Sequence, residues 1–296
     1  MRQSKHDPEK WAPVFGKDHA SSTTRSTCRN RPFPARTGPI VVTAMNRIGL
    51  VAALLVGLCV GVVFGVWPQL DIAISRSFFD ETMRVFPTIY SLVARHMREA
   101  FNWTTVLLVA PAFIALIVKI VLPRRRMLIS ARAVVFLIST LVLAPGIMAN
   151  MILKENWNRP RPNEVTQFYG PDKFVPWWDP RGTCEKNCSF VAGEGAGAFW
   201  AFAPAALAPP AWRPLAYTGA ILFGLTAGGL RLSGGAHFFS DVMFSGVFTF
   251  LIVWLMHGLI YRWPRTRITD EQVEAAIERV ALPPHLALMR LLGRER

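Results

Sequence analysis

Residues 48–67 read IGLVAALLVGLCVGVVFGVW, twenty apolar or small residues with no charge among them. A hydrocarbon core about 30 Å thick is crossed by roughly 20 residues of helix, so this stretch is predicted to span a membrane. Residues 133–153 (AVVFLISTLVLAPGIMANMIL) read the same way. Residues 103–122 carry only Lys119, whose stem is predicted to lie along the helix while its ammonium snorkels to the interface. Three further stretches have the length but less apolar character: 190–208, Ala- and Gly-rich with Glu194 near its start; the short 215–230; and 238–260, which contains Asp241. The expected fold is therefore all-α, a six-span transmembrane helical bundle over residues 46–262. Composition agrees, since 52% of the 296 residues are hydrophobic and the mean hydropathy is +0.30. Gly 21 and Cys 4 exclude a collagen-like or disulfide-framework chain.

Lys and Arg set the orientation. Their excess over Asp and Glu leaves a formal net charge of +14. Nine of them precede the first span, Arg124, Arg125, Arg126 and Arg132 follow the second, Arg213 separates the fourth from the fifth, and Arg262, Arg265 and Arg267 follow the sixth. The positive-inside rule makes those segments cytoplasmic, with both termini inside. The intervening loops, 68–102, 154–189 and 231–237, then face the periplasm of a bacterial inner membrane. The basic residues are spread along the chain rather than set in one stripe, and no nucleic-acid-binding motif is present, so no nucleic-acid partner is expected.

Residues 1–45 are rich in Arg, Ser, Thr and Pro without apolar periodicity and read as a disordered cytoplasmic tail, with Met45 an alternative start. In the cytoplasmic tail 263–296, the spacing of Val273, Ala276, Ile277 and Val280 predicts a short amphipathic helix over 270–280. Loop 68–102 is expected to hold interfacial helices, and Trp157, Trp177 and Trp178 to lie in the interfacial belt. Cys184 and Cys188 share one outer loop (TCEKNC), where a short disulfide is plausible.

The outward loops concentrate the chemistry. Lys154 to Pro162 (KENWNRPRP) has the form K-x6-R-P, and Arg231 to Asp241 (RLSGGAHFFSD) has the form R-x5-H-x3-D. Separate cations converging from two loops suit a phosphate monoester, to which Arg offers a planar fork and Lys a point charge. His237 and Asp241 are four apart, so on a helix they share a face, with Asp241 accepting the Nδ1–H of His237 and Nε2 left as a nucleophile. Each residue also has a plainer reading: interfacial anchors for Lys154, Arg159 and Arg161, a structural hydrogen-bonded pair for His237 and Asp241, and a helix-dipole partner for Glu194. The remaining histidines form no ligand spacing, and no metal or cofactor is expected.

Taken jointly, the two motifs resemble those of the type 2 phosphatidic acid phosphatase and vanadium-haloperoxidase superfamily, over about residues 100–262. The resemblance implies that Lys154, Arg161 and Arg231 hold the phosphate, that His237 is the nucleophile forming a phospho-histidine, that Asp241 orients it, and that no metal takes part. The family's middle motif, P-S-G-H, is replaced here by Val191-Ala192-Gly193-Glu194. Gly193 keeps a backbone amide for a phosphate oxygen, the hydroxyl donor is lost at Ala192, and Glu194 stands where the family places the acid that protonates the leaving oxygen. Among the family's branches, the basic loops, the outward site and the Trp-rich loop 154–189 look most like lipid A phosphatases. Undecaprenyl pyrophosphate, phosphatidylglycerol phosphate and phosphatidic acid stay open as substrates. The altered middle motif also leaves open a non-catalytic lipid-phosphate binder or a phosphotransferase.

Overall fold

A computed structural model describes residues 38–292 of the chain, with side chains from residue 47 onward. The tail expected over 1–45 thus lies mostly outside the described residues, and its last part, 38–45, belongs to a helix. That helix is α1 (Gly38–Val66), followed by α2 (Gln69–Arg76), α3 (Leu92–Val121) and α4 (Ala131–Leu141). The chain after α4 continues as a wider π-type helix, Val142–Leu153, into a last turn, α5 (Lys154–Asn156). A long loop leads to α6 (Gly193–Phe199), α7 (Phe202–Leu207), α8 (Arg213–Ser233), α9 (Phe239–His257) and α10 (Asp270–Leu291). Among the described residues the only extended pairings are two isolated bridges, so the all-α class holds.

Five helices are long and apolar enough to cross a membrane: Arg47–Val66, Leu92–Val121, Ala131–Asn156, Arg213–Ser233 and Phe239–Arg262. The sixth stretch expected to span, 190–208, is not among these unbroken helices: it forms the broken pair α6 and α7. Pro204 has no N–H to return to the carbonyl of Trp200, which takes the Ala203 N–H at 2.8 Å in a tighter turn. The pair is also too small-sided to face lipid. Gly193, Gly195, Ala196 and Ala198 of α6 are buried against α8, α9 and the π-type segment, and Ala203, Ala205 and Ala206 of α7 against α8, α9 and α4. Phe199 wedges between two glycines, and a Cβ on Gly224 or Gly246 would lie 2.1 Å or 3.0 Å from its ring. Such close helix contacts are how bundles pack where lipid supplies no hydrophobic drive between helices.

The outer surface carries Leu55, Leu58 and Val62 of α1 and Leu107, Ile114 and Ile117 of α3, each more than half exposed. In water so continuous an apolar belt would be an aggregation surface; against lipid it is the ordinary exterior.

Two ends of the bundle differ in chemistry. At one, Lys119 is 2% exposed, donates to the Arg125 carbonyl at 2.9 Å and lies 3.6 Å from Glu278 and 3.8 Å from Glu274 of α10. The expected snorkelling is therefore corrected: α10 covers this lysine and supplies its counter-charge. That helix runs on to Leu291, past the stretch 270–280 read from periodicity, and packs on α3 and α4. The opposite end gathers α2, the start of α3, α5, α6, the end of α8 and the start of α9. Every residue singled out for chemistry lies on these elements or on the loops between them.

Candidate active site

The π-type stretch before α5 starts where Pro145 interrupts the ladder. The Asn150 side chain donates to the Pro145 carbonyl at 2.6 Å. Lys154, one turn later, lies against the N-terminus of α6, its Nζ 3.1 Å from where a Cβ on Gly193 would stand. The Asn150 oxygen would be 2.5 Å from the same atom, so only glycine fits. Lys154 Nζ donates to Asn187 Oδ1 at 3.1 Å, while Arg161 donates to the Asn187 carbonyl through Nη2 at 2.5 Å and Nε at 3.1 Å. Asn187 belongs to the five-residue loop closed by a disulfide between Cys184 and Cys188. Arg231, in the last turn of α8, lies 3.5 Å from Glu194 Oε1. Thus each of the three cations expected to hold phosphate already faces an oxygen of the protein.

His237 stands just before α9, with Phe238 as the helix N-cap. It is outside the helical register, so the shared face expected for His237 and Asp241 does not form. The correction is specific. Nδ1 of His237 pairs with the carbonyl oxygen of Ser189 at 2.7 Å, and Asp241 instead caps α9 by accepting the Phe238 N–H at 2.9 Å. A carbonyl only accepts, so Nδ1 carries the hydrogen and Nε2 is left with its lone pair. Asp241 reaches the histidine through Ser189, whose hydroxyl donates to Asp241 Oδ2 at 2.5 Å. Burial first, and then the charges of Lys154, Arg231 and Arg161, push the His237 pKa well below its ordinary value, against the opposing Ser189 bond. The imidazole is neutral at physiological pH, and those three side chains are the cations that bear on it.

Behind Asp241 lies a network that sequence reasoning missed. Arg159, fully buried, pairs with Asp241 through Nη1 and with Asp71 of α2 through Nη2 at 2.8 Å. Ser240 joins both: its hydroxyl accepts from Arg159 Nη1 at 2.9 Å and donates to Asp71 Oδ2 at 2.5 Å, and its N–H donates to Asp71 Oδ1 at 3.0 Å. The Arg159 guanidinium also lies 4.3 Å from the ring centre of Phe238. Two carboxylates around one guanidinium satisfy what would otherwise be a prohibitive buried charge.

On the other side, Glu194 is held by Arg98 of α3 in a fork, 3.0 Å from Nε and 2.6 Å from Nη2. Arg98 also escaped sequence reasoning, which started the second span at residue 103. The tryptophans expected in the interfacial belt are partly drawn inward. Trp157 donates to the Trp177 carbonyl at 2.6 Å, Trp177 to the Gly61 carbonyl at 3.2 Å, and both stack near Phe190, while Trp178 stays 49% exposed.

Comparison with known proteins bears on this arrangement. Residues 133–267 match the PAP2 superfamily. A lipid A 4'-phosphatase of Francisella tularensis subsp. novicida is 33% identical over 226 residues, covering 74% of this chain and 98% of that protein. The chain belongs to the PAP2 superfamily. Two further relatives, the lipid A 4'-phosphatases of Rhizobium leguminosarum and Rhizobium etli, are 37% and 38% identical over 106 and 105 residues, 36% of this chain and 46% and 41% of theirs. No solved structure matches the chain. Within the PAP2 frame this is a multi-pass membrane lipid phosphatase, and its motif residues Lys154, Arg161, Arg231 and His237 are the ones the fold gathers at one end of the bundle.

Proposed function

We propose that this chain removes a phosphate monoester from lipid A at the outer leaflet of a bacterial inner membrane, through a phospho-histidine at His237 and without a metal ion. One observation carries the chemistry: three cations bear on a neutral, buried imidazole whose Nδ1 is fixed by a carbonyl. The substrate is that of the lipid A 4'-phosphatases to which the chain is similar, above all the one covered over 98% of its length. The side of the membrane follows the basic loops, which lie at the end of the bundle away from His237.

Lys154, Arg161, Arg231 and the Gly193 amide take the phosphate oxygens, exchanging the oxygens of Asn187 and Glu194 for those of the substrate. Nε2 of His237 attacks phosphorus in line as the bond to the lipid oxygen breaks. Arriving negative charge repels the Glu194 carboxylate and favours its protonated form, which then gives its proton to the leaving oxygen. Water next attacks the phospho-histidine as the Glu194 carboxylate left by the first step takes its proton; the P–Nε2 bond breaks, releasing phosphate and restoring the neutral ring. Asp241, with Arg159 and Ser189 behind it, keeps the imidazole in one orientation.

Purified protein given lipid A should release inorganic phosphate in the presence of a chelator, and acid-labile phosphate should be trapped on the wild type but not on His237→Ala. That variant should lose at least about 10³-fold in kcat. Near-normal turnover by His237→Ala, or loss of all activity on chelation, overturns the mechanism.

A further inference from the structure

The N-terminal turns of α3 leave a cleft beside the site that the phosphatase chemistry does not use. At 1.5 Å per residue, the 30 residues of α3 extend about 45 Å, against a hydrocarbon core of about 30 Å. The polar residues sit at its N-terminal end: Arg95, Arg98, Glu99 and Asn102 recur at three- and four-residue spacing and so share a face. They wall a cavity of about 270 Å³ together with Thr88 and Arg231. Side-chain exposure falls from 72% at Arg95 through 40% at Arg98 to 16% at Arg231, so the cleft runs inward from the surface and ends on a phosphate-binding cation.

Two of the three guanidiniums there are already matched. Arg98 forks onto Glu194, and Arg95 Nε lies 3.3 Å from Glu99. A second phosphate, which offers only acceptors, would have to displace Glu99 from Arg95 or Glu194 from Arg98. A hydroxylated ring offers a donor and an acceptor at each oxygen and suits alternating guanidinium, carboxylate and amide groups. The size is that of one such ring, near the lower end of small-molecule pockets.

We infer that this cleft binds the sugar that carries the reacting phosphate, and that Arg95 and Asn102 make the enzyme prefer a sugar-linked phosphate over a glycerol-linked one. This deepens the lipid-phosphatase reading and rests on it. Arg95→Ala and Asn102→Ala enzymes would be assayed on a phosphorylated glucosamine-based glycolipid and on phosphatidic acid, in the same detergent. Loss of one or two hydrogen bonds to a charged or amide partner should raise KM for the glycolipid about tenfold, with kcat nearly unchanged. Both parameters for phosphatidic acid should stay at wild-type values, which also reports correct folding. Equal changes on the two substrates, or none on the glycolipid, overturn the inference.

Direct titration with the unphosphorylated glycolipid separates this from the parent reading. Wild-type protein that cleaves neither substrate yet binds the glycolipid, with weaker binding by the two variants, refutes the phosphatase and keeps the sugar cleft. Binding that the variants leave unchanged refutes the cleft whatever the activity.

Discussion

The two walls of the site are built differently. Behind His237, Asp71, Arg159, Ser189, Ser240 and Asp241 are each at most 1% exposed and linked to one another by seven contacts of 3.0 Å or less, counting the Ser189 N–H to the Arg159 carbonyl. In front, Glu194 and Arg98 have side chains 30% and 40% exposed and hold one another by a single fork. A buried network has few alternative arrangements, because each unpaired atom would cost its full desolvation. A solvated ion pair can open at little cost. The back wall therefore fixes His237, the proposed nucleophile, and the front wall is built to exchange partners, as the proposed phosphate binding requires.

The largest effect should come from breaking the back wall. Arg159→Ala leaves Asp71 and Asp241 facing each other, buried and without their shared cation, a loss of the kind that costs about 3–5 kcal/mol. At roughly 2–4 °C per kcal/mol, the unfolding midpoint in detergent should fall by about 10 °C, with activity below detection. A variant that kept the wild-type midpoint would show that this wall is not the rigid half.

Next in size is the front wall, where two roles for Glu194 give opposite kinetics. As a proton donor, Glu194→Gln should lower kcat by about 100-fold, with Glu194→His retaining part of the rate. If Glu194 only steadies Arg98 and Arg231, the Gln variant should keep kcat and change KM. Steady-state assays with a lipid whose leaving group is poor separate the two. An unchanged kcat in the Gln variant removes Glu194 from the chemistry.

This contrast also explains what could be read from the chain before any coordinates. Long uncharged runs such as 48–67 have one physical solution in lipid, so the helical class and most spans follow from them. The 190–208 stretch was legible only in part, because hydropathy counts Ala and Gly as apolar, whereas their small volume favours helix contacts deep in a bundle; its break at Pro204 leaves two short helices where one was expected. The motif cations and His237 were readable from spacing. Their partners were not, because Asp71 lies 88 residues from Arg159 and Arg98 lies 96 residues from Glu194, and no local pattern encodes such pairings. The direct His237–Asp241 bond failed for a smaller reason. The i, i+4 rule needs both residues inside the helix, and α9 begins at Phe239.

The smallest effect should arise at the third side of the site, where the Cys184–Cys188 disulfide closes the loop carrying Asn187. Two oxygens of that one residue receive Lys154 and Arg161, and the loop is tied to the helix end below it by the Cys188 N–H to the Lys154 carbonyl at 3.0 Å and the Cys184 N–H to the Asn158 carbonyl at 3.2 Å. The disulfide thus narrows the positions open to Asn187, while the backbone bonds remain without it. Replacing both cysteines by serine frees the loop without removing any cation. Positioning errors of this kind act on binding before chemistry, so KM for the lipid phosphate should rise about three- to tenfold, near 1 kcal/mol, with kcat within about twofold of wild type. Asn187→Ala with the disulfide intact should give a similar KM, because it removes the contact that orients Lys154 before the phosphate takes the place of Asn187. If the serine variant instead lost kcat and the alanine variant did not, the loop would be acting on the nucleophile's wall through Ser189, two residues from Asn187, and the division of the site into a fixed and an adjustable half would fall on that side.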